Sequence, residues 1–190
     1  MWVTLVQINV SNMTIPLPKL KAIIKYFCHN TNPAFLGKTK LMKLFYFLDF
    51  TQIKRYGVSV TGETYYHLEF GPIPTTIKNL VDSVSDDPET ALLSDVIQVH
   101  CDNGHDIHKI FCLQSFTEQD KDYFSQAEFN TLEDVAKRFR DYSTQQIVDI
   151  SHEEAPWRLT NELEIIPYQL AAEDPDCVVE KGDIDLLSRI

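Results

Sequence analysis

A chain of 190 residues that is 44 % hydrophobic can bury one sizeable core, and one domain with a tail is its default organisation. No stretch approaches the roughly 18 uninterrupted apolar residues of a membrane span, and the first fifteen residues lack the basic start and cleavage site of a secretory signal. The net charge of −11 and four cysteines scattered without a compact framework suit a cytoplasmic protein with reduced thiols better than a secreted disulfide scaffold.

Residues 1–16, MWVTLVQINVSNMTIP, form an N-terminal extension that fits an edge strand and equally sequence upstream of a start at Met13. From Pro18 to Asn30, Leu20, Ile23, Ile24 and Phe27 recur at helical spacing, and Thr31-Asn32-Pro33 ends that helix. Gly37 to Tyr56 spans about five turns, with Gly57 placed to stop it in a left-handed conformation. Between Leu41 and Phe50 the only strongly polar side chains are Lys43 and Asp49, so this helix is apolar on most of its circumference and belongs at the centre of a domain.

After a turn at Thr61-Gly62, Thr64 to Phe70 is aromatic and β-branched and reads as a strand. Gly71-Pro72-Ile73-Pro74 reads as a rigid corner ending that strand, because proline donates nothing to a ladder. Thr75 to Val84 is again helical through Ile77, Leu80, Val81 and Val84. Val96–Cys101 and Ile107–Leu113 read as a hairpin about Asn103-Gly104, with Val99 opposite His108 and Ile97 opposite Ile110. Thr117 with Asp120 caps a helix or helix pair reaching Tyr142, and Ser143 caps a short helix, Gln145 to His152, that Pro156 ends. Residues 171–190 are acidic and aperiodic apart from Ile184 to Ile190, which reads as a mobile tail with a short partner-binding helix. The predicted fold is α+β and mostly helical: one domain, residues 17–170, of about six helices around a buried central helix, with a small antiparallel sheet or hairpin.

Charge is segregated along the chain. Residues 18–57 carry eight Lys/Arg against one acid, Asp49, whereas residues 58–190 carry nine bases and 27 acids. A basic end on an acidic body fits a protein partner with its own uneven charge; the alternative is a nucleic-acid-binding regulatory protein using the basic segment 18–57, which the acidic remainder would oppose.

Candidate chemistry is sparse. Gly37-Lys38-Thr39 lacks the glycine five positions earlier that a phosphate loop needs, since Asn32 stands there before Pro33. His100, Cys101, His105, His108 and Cys112 crowd the hairpin, but Cys101 and Cys112 are too far apart along their strands to share one zinc ion. His152 lies beside Glu153 and Glu154, neighbours that do not face one another on a helix, and it fits a helix-end residue contacting terminal carbonyls or packing on Trp157. No activated nucleophile is recognisable, so the residues imply no enzyme, metal or cofactor. Lys43 and Asp49, six apart, do not bridge; each needs another partner, and Tyr65, Tyr66 or the backbone of residues 61–64 can serve Asp49 in a network tying strand to helix.

The run Lys43-Leu44-Phe45-Tyr46-Phe47-Leu48-Asp49, then Gly57, Val60-Thr61-Gly62-Glu63-Thr64-Tyr65 and Phe70-Gly71-Pro72-Ile73-Pro74, resembles the signature of the SocA-like antitoxin family, or Panacea domain, once grouped with phage-associated proteins. Ser151, His152 and Trp157 resemble its second block, so the likeness extends over roughly residues 17–160. The resemblance implies a mostly helical antitoxin that neutralises a cognate protein toxin by direct contact, or an adaptor delivering the toxin to a protease, with a protease or chaperone as further partner. It implies no catalytic residues: Lys43, Leu44, Tyr46, Asp49, Gly57, Gly62, Tyr65, Gly71, Pro72, Pro74, Ser151, His152 and Trp157 read as structural. Whichever of Tyr56, Tyr65, Tyr66 and Trp157 are exposed are the expected contacts with the toxin.

Overall fold

The computed structural model describes residues 14–101 and 108–187. Residues 1–13 of the extension expected as an edge strand, and the Asn103-Gly104 turn, lie outside the described residues; residues 14–16 are not in a strand. The central helix, α2, spans Lys38–Tyr56; Gly37 precedes it in extended conformation and Gly57, at φ 81°, stops it. Fourteen of its 19 residues are buried, which is burial on every side rather than along a stripe. Its rings pack edge-on or tilted, Phe45 against Phe27, Tyr46 against Phe50 and Phe47 against Phe139. Each such buried ring contributes about 1.5–3 kcal/mol by leaving water.

The other α-helices are α1 (Leu17–Asn30), α3 (Thr75–Asp86), α4 (Gln126–Phe139), α5 (Thr144–Glu153), α6 (Ala155–Arg158) and α7 (Lys181–Leu187), with 3-10 helices at Glu118–Tyr123 and Tyr168–Glu173. The fold is mostly helical with small antiparallel sheets, but seven α-helices and two 3-10 helices among the described residues exceed the six expected. The additions come from local capping. Ser125 and Glu128 form a reciprocal box that starts α4 afresh after the 3-10 turn, and Pro156 opens α6 instead of ending α5.

The two sheets are β1 (Tyr65–Leu68) with β2 (Gly71–Pro74), and β3 (Ile97–Cys101) with β4 (His108–Cys112), both antiparallel. Gly71–Pro74 is therefore a strand and not a corner. In the ladder, Thr75 N–H donates to Thr64 O, so Ile73 faces β1 with its backbone and Pro72 and Pro74 fall on the alternate positions, where no donor is needed. The β3–β4 pairing sets Val99 opposite Ile110 and Ile97 opposite Cys112, two residues from the register predicted. A slip of two preserves which side chains share a face, so Ile97 and Ile110 still reach the core.

The C-terminal segment packs. Ile184 and Ala171 are wholly buried and Val178 N–H donates to Lys54 O, so residues 171–187 lie against the end of α2 rather than forming a mobile tail. The predicted basic end is also dissolved by folding. Lys19, Lys21, Lys25, Lys38, Lys54 and Arg55 are ion-paired to Glu128, Asp95, Asp120, Asp82, Glu154 and Asp134 respectively, and Lys40 and Lys43 donate to backbone carbonyls. Every base of residues 18–57 has thus found a partner later in the chain.

Candidate functional site

Three buried polar clusters hang from α2, each tying a different part of the chain to it. Asp49, wholly buried, accepts the N–H groups of Val60 and Thr61, both at 2.8 Å, and the hydroxyls of Thr61, Tyr65 (2.8 Å) and Tyr168 (3.3 Å). Tyr65 also donates to Phe45 O at 2.9 Å, so the strand start is fixed to α2 at two points. Burial holds the Asp49 carboxyl above the usual carboxylate range, against the pull of those hydrogen bonds. Beside it, burial and then the Asp49 charge push Glu63 up to about 7. Tyr66, named with Tyr65 as a donor to Asp49, instead points to the opposite face of β1.

Lys43, also wholly buried, donates to Pro72 O at 2.7 Å. This follows from the ladder: the same alternation that spares Pro72 a missing donor turns its carbonyl away from β1 and toward α2. Burial lowers the lysine well below its ordinary range. Gly71, at φ 85°, is what lets the strand come this close, because a Cβ there would lie 2.6 Å from Ser151 Oγ, 2.9 Å from Lys43 Cε and 3.1 Å from His152 Nε2. Ser151 donates to Val148 O inside its own helix. Trp157 is layered between His152 and His67, ring centroids at 3.9 Å and 4.3 Å. Burial, then the Lys43 charge, lowers the His152 pKa, and the buried His152 Nε2 and Trp157 Nε1 have no hydrogen-bond partner among the described residues.

Lys54 forms the third cluster, 3.0 Å from Glu154, 2.9 Å from Asp174 and 3.1 Å from Asp176. Burial pulls its pKa down, but Glu154 and Asp174 outweigh that and hold the ammonium above lysine's ordinary range. Tyr46 donates to the same Glu154 at 3.4 Å. The clusters therefore consume their charges internally, and their geometry locks helix, strand and C-terminal segment to one another. Lys54, Glu63, His67, Tyr168 and Asp174 are not among the residues predicted; all five have partners more than 75 positions away along the chain, Glu63 through the carbonyl that accepts the Tyr168 hydroxyl, which local pattern does not reveal.

Of the predicted contact residues, Tyr65 is buried at 1 % exposure and leaves the set. Tyr56 is exposed, and Tyr66 and Trp157 are half-buried. Trp157 stacks on His67, whose side chain lies on the face of β1 opposite Tyr66, and Tyr56 is the last residue of α2. A cleft of about 480 Å³ between α2, β2 and α3 is floored by Met42, Ile73 and Val81 and rimmed by Phe70, Lys38 and Lys78, the two lysines both paired with Asp82. Among the described residues no three His, Cys, Asp or Glu side chains are grouped to hold a metal ion, and no helix is long and apolar enough to cross a membrane.

Fold and site together define a mostly helical protein whose central helix is anchored by buried polar networks. The chain belongs to the antitoxin SocA-like, Panacea domain family, whose profile matches residues 41–158. That span runs from the body of α2 to the end of α6 and takes in the whole of the signature, Lys43 to Trp157; α1, expected within the likeness over residues 17–160, falls outside. Comparison with curated proteins and with solved structures finds no match.

Proposed function

We propose that this protein is a cytoplasmic antitoxin that neutralises a cognate protein toxin by direct binding and performs no catalysis of its own. Membership in the antitoxin SocA-like family carries the reading. It is supported by the use made of the signature's polar groups: Lys43 and Asp49 are spent on backbone and hydroxyl partners inside the core, which suits a scaffold whose exterior does the work. The pairing of every base in residues 18–57 leaves no free basic stripe there for phosphates, which favours a protein partner over nucleic acid. Delivery to a protease by a free tail is less well served, because residues 171–187 are packed on α2. Co-expression with the product of the adjacent gene tests the reading. Growth should be restored and the two chains should co-purify; neither rescue nor complex would overturn it.

A further inference from the structure

The register of the small sheet separates its two faces. Tyr65 and His67 point to the core, while Tyr66 stands between Ile73 on β2 and Ile165, its bridge partner on the other side, so these three share the opposite face with Leu68; on it Ile73 is buried, Tyr66 and Leu68 are half-buried, and the Ile165 side is open. Ile165 is 53 % exposed, and the neighbouring Leu163 is 71 % exposed.

The edge beside them is open. Ile166 N–H donates to Tyr65 O and Glu164 O accepts from His67 N–H, so the N–H and C=O of Ile165 itself point away from β1, and neither meets a partner among the described residues. Leu163 sits at the third position of the turn closed by Glu164 N–H on Asn161 O, and its own N–H joins Glu164 O on His67 in a bulge. Both settings ask for glycine, and Leu163, at φ 69°, is the one non-glycine residue with positive φ among the described residues. Its side chain is exposed, so packing within this chain returns little for that strain.

We propose that the toxin docks here, laying an extended apolar segment with basic flanks along the open edge at Ile165 and over Leu163 and Tyr66. This rests on the toxin-binding reading above and names its surface. An extended occupant follows from the free N–H and C=O, which a strand satisfies. Basic flanks follow from charge: Glu69, Glu162 and Glu164 are exposed around the face. A second copy of this chain would bring the same acids against themselves.

The test uses two variants and two probes. Leu163→Gly relieves the strained backbone and so folds at least as well as the native chain, while Ile165→Lys puts a charge on the face. Against the adjacent gene's product both should weaken binding about tenfold or more, with the melting temperature of Leu163→Gly unchanged or raised. A blocked Lys-Val-Thr-Val-Thr-Val-Lys peptide should bind the native chain more tightly than its Glu-flanked twin and lose binding to Ile165→Lys. If the adjacent product binds native chain and variants alike, the docking face is wrong while the antitoxin reading stands. If that product binds nothing, the antitoxin reading falls and the peptides decide the face: equal binding of the two overturns it. Dimerisation of the native chain that Ile165→Lys abolishes also overturns it, in favour of a second copy.

Discussion

The inner side of α2 and the outer edge at residues 159–165 use polar and apolar groups in opposite ways. On α2, charged side chains are buried and each is met: Lys43 by Pro72 O, Asp49 by two amides and three hydroxyls, Lys54 by three carboxylates. At the edge, Leu159, Leu163 and Ile165 are more than half exposed, and a leucine holds a glycine's conformation. The contrast teaches that the residues most conspicuous in the sequence secure the frame, and that the docking surface proposed above lies in a stretch with no signature. If so, substitutions on α2 should cost stability, and substitutions at the edge should cost binding alone.

The largest loss is expected from Lys54→Met. Removing the ammonium leaves Glu154 and Asp174 side by side in a buried place, a situation that costs about 3–5 kcal/mol. Chemical denaturation should show it as a lower midpoint at unchanged slope. The native pair also has a signature at high pH: because the folded lysine is held above its unfolded value, its stabilisation is fully present below about pH 10.4 and is lost as pH rises through the folded pKa. Next comes Gly71→Ala, which combines a strained left-handed alanine with a methyl driven into Ser151 and Lys43, for about 2–4 kcal/mol. A melting temperature within a degree of native would break the claim that β2's close approach to α2 is what the glycine permits.

Glu63 should act with the opposite sign to a salt-bridged acid. Its pKa is raised by burial to about 7, so the folded protein holds a proton that the unfolded chain releases, and stability falls as pH rises from about 4.5 through about 7. Allowing for partial solvation, the loss is on the order of 2 kcal/mol. Glu63→Gln keeps an acceptor for Thr76 N–H and should flatten that slope. A variant whose stability declines across this window as steeply as the native protein's would show that Glu63 is not the source.

How much of this was legible depended on range. The burial of α2 could be read directly, because ten consecutive residues with two charges leave no polar face, and Gly37 and Gly57 bracket the helix as predicted. Tyr65 and the Thr61 amide were foreseeable partners of Asp49, lying within 16 positions of it. Tyr168 on Asp49 and Asp174 on Lys54 were not, since nothing local announces a partner 119 or 120 positions away. The charge segregation misled for the same reason: a linear sum contains no pairs, and the fold joined the basic stretch to later acids one by one. Pro72 and Pro74 misled for a subtler one, because two prolines of the same parity fit an edge strand that a single misplaced proline would break.

The smallest predicted effect separates the two regions most cleanly. At Leu163 the backbone is in the left-handed region, where a side chain with a Cβ costs about 1 kcal/mol relative to glycine, and the leucine is too exposed to recover that by packing. Glycine brings its own cost through a freer unfolded chain, about 0.5–1 kcal/mol, so Leu163→Gly should leave stability level or raised by up to about 0.5 kcal/mol. Gly71→Ala, the reverse exchange at φ 85°, should do the opposite and by several times as much, because there the space is filled. Measured side by side by calorimetry, a clear destabilisation by Leu163→Gly would mean that this leucine packs within its own chain, and the edge would join α2 as part of the frame.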